Sequence, residues 1–129
     1  MTERTDRTGA PVQIKLDETD AISAYTVSLD DGTLAGRAAF VDPPGADGER
    51  IFFHTEIAEE FGGRGLAGLL VREALADSIR KDLTVVPVCP LFRSHLDKHG
   101  EAYAAEGGRF RRPRPADLST VRQATEVGA

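Results

Sequence analysis

"EEFGGRGLAGLLVREAL", Glu59 to Leu75, sets Gly62, Gly63 and Gly65, with Arg64 among them, between two acids and an apolar run. Within that run Ala67, Leu70, Val71 and Ala74 recur at i, i+3, i+4 and i+7, the stripe of an amphipathic helix. Arg72, Glu73 and Asp77 take the other face, and Arg80 and Lys81 are cations suited to the helix end. A helix start offers unpaired backbone N–H groups and a partial positive charge. Glycines there let an anion come close, because no Cβ stands in the way. Arg64 would add a charge-assisted contact. The stretch therefore reads either as a cradle for a phosphate or pyrophosphate, or as a plain tight turn from strand to helix. It is not a P-loop, since no Lys-Ser/Thr ending follows. It sits mid-chain after four predicted strands, which does not fit a dinucleotide fingerprint either.

Upstream of the turn, Val12, Ile14 and Leu16 alternate with Gln13, Lys15 and Asp17, the pattern of a half-buried strand. Ala24–Leu29 and Thr33–Val41 predict two more strands, joined by the hairpin signal Asp30-Asp31-Gly32. After a loop over Asp42–Glu49, Arg50–Ile57 reads as the fourth strand, rich in aromatic and β-branched residues. Downstream of the helix, Leu83–Cys89 is a short apolar fifth strand, and its interval from the fourth implies a parallel crossover. Pro90 opens a second helix, with Gly100 as its cap. The order predicts an α+β domain over residues 12–105, with a mainly antiparallel sheet and one parallel pair. Residues 1–11 read as a disordered head and 106–129 as an Arg/Pro-rich tail, mostly disordered.

The chain has 129 residues, enough for about one domain. A net charge of -5 argues against nucleic acid as a main partner, which needs a basic face. Cys89 is the one cysteine, so no intrachain disulfide forms, and a reducing cytoplasm is the simplest home. The polar N-terminus is no secretory signal, and no run approaches the roughly 18 apolar residues of a membrane span.

His54 and Glu56 share one face of the fourth strand, where either can serve as a base or be a structural residue. Thr55 points to the opposite face, with no role beyond packing. Cys89 immediately precedes the second helix, at the positive end of its dipole. His95 and His99 are four apart, but no acid completes a zinc pattern, so they read as surface residues and no metal is expected. Arg109, Arg111, Arg112 and Arg114 form a basic cluster that either meets phosphates or an acidic partner, or is a solvated tail.

"FGGRGLAGLL", Phe61 to Leu70, resembles the pyrophosphate-binding signature of the Gcn5-related N-acetyltransferases, in which Gln or Arg is followed by two residues, Gly, one residue, then Gly or Ala. Gly65 and Ala67 match its last two fixed positions; Gly62 stands where the family prefers Gln or Arg. The stretch "FHTEIAEEFGGRGLAGLLVREALA", followed by "VPVCP", is similar to the small single-domain branch of that family, over about Phe52 to Tyr103. The resemblance implies a GNAT-like sheet whose fourth and fifth strands splay, with Pro87 at the splay. It also implies acetyl-CoA as cofactor and a primary amine, on a small molecule or a protein, as acceptor. Its pyrophosphate would lie on Gly62, Gly63, Arg64, Gly65, Leu66, Ala67 and Gly68, and the Ile57 N–H would hold the oxyanion. Glu56 is the favoured base, with His54 as helper or alternative. Cys89 would lie near the thioester sulfur, as proton donor or substrate-orienting group, as a transiently acetylated nucleophile, or as a small buried hydrophobe. The family's usual helix tyrosine falls on Leu96, and Tyr103 is a distant substitute. The alternative activities are a CoA or acyl-CoA binding module with little transferase activity, and a protein-interaction domain.

Overall fold

The computed structural model describes residues 2–19, 22–45 and 48–127. Among the described residues, seven strands form one sheet in chain order: β1 (Thr2–Thr5), β2 (Pro11–Asp17), β3 (Ser23–Leu29), β4 (Leu34–Val41), β5 (Glu49–Ile57), β6 (Thr84–Pro87) and β7 (Arg109–Phe110). Neighbours from β1 to β5 are antiparallel; β5/β6 and β6/β7 are parallel. Helix α1 (Leu66–Arg80) makes the crossover from β5 to β6, α2 (Pro90–Ala105) follows β6, and α3 (Pro115–Val127) follows β7. The predicted fourth and fifth strands are thus β5 and β6, and the α+β, GNAT-like sheet with flanking helices is as the sequence implies.

The core lies between one face of the sheet and the two longer helices. Ile14, Tyr25, Phe40 and Phe52 meet Leu70 and Ala74 of α1 and Phe92 of α2. Phe52 and Phe92 stack with centroids 4.4 Å apart, which fixes α2 over the end of the parallel pair. A polar network crosses this core. Arg50 is 5% exposed, donates to Asp42 at 2.8 Å and to the Tyr25 hydroxyl at 3.0 Å, and lies 4.0 Å over the Phe40 ring. The Tyr25 hydroxyl in turn donates to the Asp77 carboxylate of α1. A buried guanidinium is tolerable only when so partnered.

Four expectations need correction. The head, predicted disordered, contributes β1, because the Asp6 carboxylate organises a closing turn and Arg4 pairs with Glu73 of α1 at 2.8 Å. The tail, also predicted disordered, supplies β7 and α3. Arg111 holds it down by bridging Glu49 and Asp117, each at 2.8 Å. Asp117 sits at the third position of α3 and accepts the Arg114 N–H at 2.6 Å, while Pro115 occupies the first. The second helix does not stop at Gly100 but runs to Ala105, where Gly107 at φ +99 closes a Schellman cap: the Gly108 N–H meets Tyr103 O at 2.9 Å and the Gly107 N–H meets Ala104 O at 3.0 Å. Gly100 instead gives room to Phe110, whose Cζ would stand 2.8 Å from a Cβ there. Finally, the sheet holds two parallel pairs rather than one.

Candidate active site

The site begins with a break in alternation. Phe40 pairs with Phe52, yet Ala39 pairs with His54, so Phe53 is an extra residue in β5, a β-bulge. Before it, Phe52 faces the core. After it, Thr55 and Ile57 take the core face and His54 and Glu56 the outer one. Thr55 Oγ1 consequently lies 3.4 Å from Cys89 Sγ. His54 and Glu56, 58% and 60% exposed, pair with each other at 3.5 Å. The structure therefore keeps His54 and Glu56 together and joins Cys89 to Thr55, a residue to which the sequence assigned only packing.

β5 and β6 remain paired for four rungs, the last being Phe52 with Pro87. One further bond, from the Cys89 N–H to Phe52 O at 2.8 Å, closes the pairing, and β5 runs on beside β4 only. Pro87 stands at this point as predicted. Arg111 donates to Val85 O, so the Pro87 nitrogen, two residues on, faces the β7 side. There β7 has already ended, no donor is required, and a cavity of about 650 Å³ opens between Pro87, Leu96 and Phe110.

The backbone of β5 beyond the bulge has a definite sense. Ala58 donates to Ala35 O at 2.8 Å, so Ala58/Ala35 is a hydrogen-bonded pair. Ile57/Gly36 and Thr55/Ala38 are then non-hydrogen-bonded pairs, and the N–H groups of Ile57 and Thr55 turn away from β4, into the opening beside β6.

At the far end of the opening a single 3-10 turn (Glu59–Phe61) leads into the glycines. Gly63 and Gly65 have φ of +81° and +76°, the left-handed region that disfavours a side chain. Gly65 is the N-cap of α1 and makes no side-chain cap. Among the described residues, the amides of Gly63, Arg64, Gly65, Leu66, Ala67 and Gly68 donate to no protein acceptor. No atom stands within 4 Å of where a Cβ on Gly63 would lie. These groups fit a diphosphate through main-chain donors. The Arg64 side chain is turned elsewhere: its guanidinium lies 5.4 Å over the Phe61 ring and 3.8 Å from Asp6.

Of the other residues singled out in the sequence, Cys89 lies at the site and the rest lie apart from it. Cys89 is 3% exposed and caps α2 without a side-chain hydrogen bond. Leu96 is buried in the core. The Tyr103 hydroxyl donates to Leu75 O at 2.9 Å, and burial pushes its pKa up to about 12. His95 and His99 have ring centroids 4.8 Å apart, and burial, then the neighbouring charges of His99 and Arg72, hold the His95 pKa down. Arg109 pairs with Asp82 at 3.1 Å. Among the described residues no cluster of three metal-ligating side chains forms, and no helix is long and apolar enough to cross a membrane.

A parallel strand pair that parts after four rungs, with a bulged strand on one wall and a glycine-capped helix at its mouth, is consistent with a GNAT-like fold. The family model described as GCN5-related N-acetyl-transferase matches residues 24–106, and the chain belongs to that family. No curated protein matches the chain.

Proposed function

We propose that the protein is an acetyl-CoA-dependent N-acetyltransferase acting on a primary amine. One observation carries this reading: the Thr55 and Ile57 N–H groups face the same opening as the Thr55–Cys89 pair, and the free amides of the glycine turn lie at its end. The turn from Gly63 to Gly68 would hold the cofactor diphosphate, and bound acetyl-CoA would supply an activated thioester. The Thr55 and Ile57 N–H groups are donors for the pantetheine amides and for the oxyanion that develops when the amine attacks. Glu56, with His54 beside it, takes up the proton the amine releases on the outer face. The Cys89 thiol, hydrogen-bonded with Thr55, is the group on hand to return a proton to the departing sulfur. Its own proton is then replaced from water.

A second reading, a CoA-binding module with little turnover, draws on the fate of the usual acid. Leu96 is apolar, and Tyr103 is committed to Leu75 O. Incubation with labelled acetyl-CoA and a panel of amines, polyamines and peptides separates the two. Label transfer to an acceptor supports the transferase. Binding without transfer to any acceptor overturns it in favour of the module.

A further inference from the structure

The head segment carries a charge of the wrong sign for where it sits. The Asp6 carboxylate knits the turn between β1 and β2 by accepting the Thr8 N–H at 2.8 Å, the Thr8 hydroxyl at 2.6 Å and the Ala10 N–H at 3.0 Å. Its other oxygen is buried, has no hydrogen bond, and lies 3.8 Å from Arg64 Nη1. Arg64 is thereby drawn toward the head. The next residue, Arg7, is fixed in the opposite sense, its N–H donating to Arg64 O at 2.8 Å. Its guanidinium nitrogens Nε and Nη2 lie 3.6 Å from where Gly65 would carry a Cβ, against the very residue that caps α1. Arg7 is exposed and forms no ion pair among the described residues. A cation beside a helix N-terminus is repelled by the dipole, so this placement is unfavourable until an anion comes between them.

We infer that the turn between β1 and β2 is part of the cofactor site, and that Arg7 binds a phosphate group of coenzyme A there. The inference rests on the reading given under Proposed function. In a chain of net charge -5, a single guanidinium placed this way supplies a charge-assisted, two-pronged donor that the backbone amides cannot. It also gives the head a reason to be ordered: the turn delivers Arg7 over Gly65 as a second wall to the glycine cradle.

Titration calorimetry of the full chain with coenzyme A and with 3′-dephospho-coenzyme A tests this. Arg7→Gln is expected to weaken coenzyme A binding about tenfold, and Arg7→Lys, which keeps the charge but loses the two-pronged donor, to weaken it by less. Added salt should narrow the gap between wild type and Arg7→Gln. Equal weakening for both ligands assigns Arg7 to the diphosphate; weakening for coenzyme A alone assigns it to the 3′-phosphate. Without ligand, the thermal midpoint of Arg7→Gln should match or slightly exceed that of wild type, since the side chain is exposed and its repulsion by the helix dipole is relieved. A wild-type dissociation constant in Arg7→Gln overturns the inference and leaves the family reading standing. An absence of binding heat for the wild type overturns both.

Discussion

Thr55 Oγ1 and Cys89 Sγ meet at 3.4 Å across the point where β5 leaves β6. The contact exists because one extra residue, Phe53, turns Thr55 to the core face, and because the Cys89 N–H is tied to Phe52 O. Either group can donate in this contact, so the hydroxyl is a partner for the thiol in both directions. Thr55→Val preserves the shape and removes that partner. It should lower kcat about tenfold with little change in the affinity for coenzyme A, the mark of a group that positions a proton rather than a ligand. Cys89→Ala should lower kcat at least as far, at a stability cost of about 1 kcal/mol for the small side chain lost. Steady-state kinetics together with calorimetry check both. Unchanged kcat in Cys89→Ala would leave the residue as a packing group.

Glu56 stands on the outer face of the strand whose amides line the opening, so its contribution is separable from that of the thiol. Glu56→Gln should reduce kcat by about a hundredfold or more and leave cofactor affinity intact, as loss of a general base does. His54→Ala should have a smaller effect, since His54 reaches Glu56 at 3.5 Å and both are exposed. A pH–rate profile that keeps its acidic limb in Glu56→Gln would rule the carboxylate out as the base.

The sheet order was legible because its signals are local: alternation in β2, the Asp-Gly turn before β4, and the 3.6-residue stripe of α1. The bulge was not, since nothing in "RIFFHTEI" says which residue is extra. That depends on how β5 meets Ala39 and Phe40 of β4. Thr55 was therefore placed correctly on the face opposite Glu56, but its contact with Cys89 could not be foreseen. The head and tail failed for another reason. β1 is polar throughout, and the tail is rich in Arg and Pro, so composition pointed to disorder. What orders them is ion pairing to distant residues, Arg4 to Glu73 and Arg111 to Glu49, which no window of sequence contains. Two local signals were there to be used: Pro115 followed by Asp117 as a helix start, and Asp6 with Gly9 as a turn.

Gly36 couples the stability of the sheet to the geometry of the site. A Cβ there would lie 2.3 Å from Ile57 Cδ1 and 2.7 Å from Glu56 O. The side chain can swing aside, but the backbone oxygen cannot without moving β5. Gly36→Ala should therefore cost about 2 kcal/mol by overpacking and displace the Ile57 N–H from the opening. Thermal melting gives the first quantity, and the acetyl-CoA dissociation constant reports the second. A variant as stable and as tight-binding as wild type would show that β5 is not held rigidly at this rung.

Arg111 ties the C-terminal elements to the rest by two carboxylates, and its effect carries a sign in pH. Its hydrogen bonds hold the Glu49 and Asp117 carboxyls below their ordinary values of 4.5 and 3.8. A depressed folded pKa means that the unfolded chain binds protons more readily, so the stabilisation is complete above about pH 4.5 and fades as pH falls through the folded values. The three side chains are 18%, 24% and 7% exposed for Arg111, Glu49 and Asp117, which places the group between a surface pair and a buried one. Arg111→Gln should thus cost about 2 kcal/mol near pH 7, because Asp117 keeps its burial and loses its counter-charge. The difference between variant and wild type should shrink as pH falls below the ordinary carboxyl values, and close only below the depressed folded ones, where both carboxyls are protonated even beside the arginine. Urea melts at pH 7, 5 and 3.5 measure this. A gap that stays constant across that range would mean that Arg111 acts by packing alone.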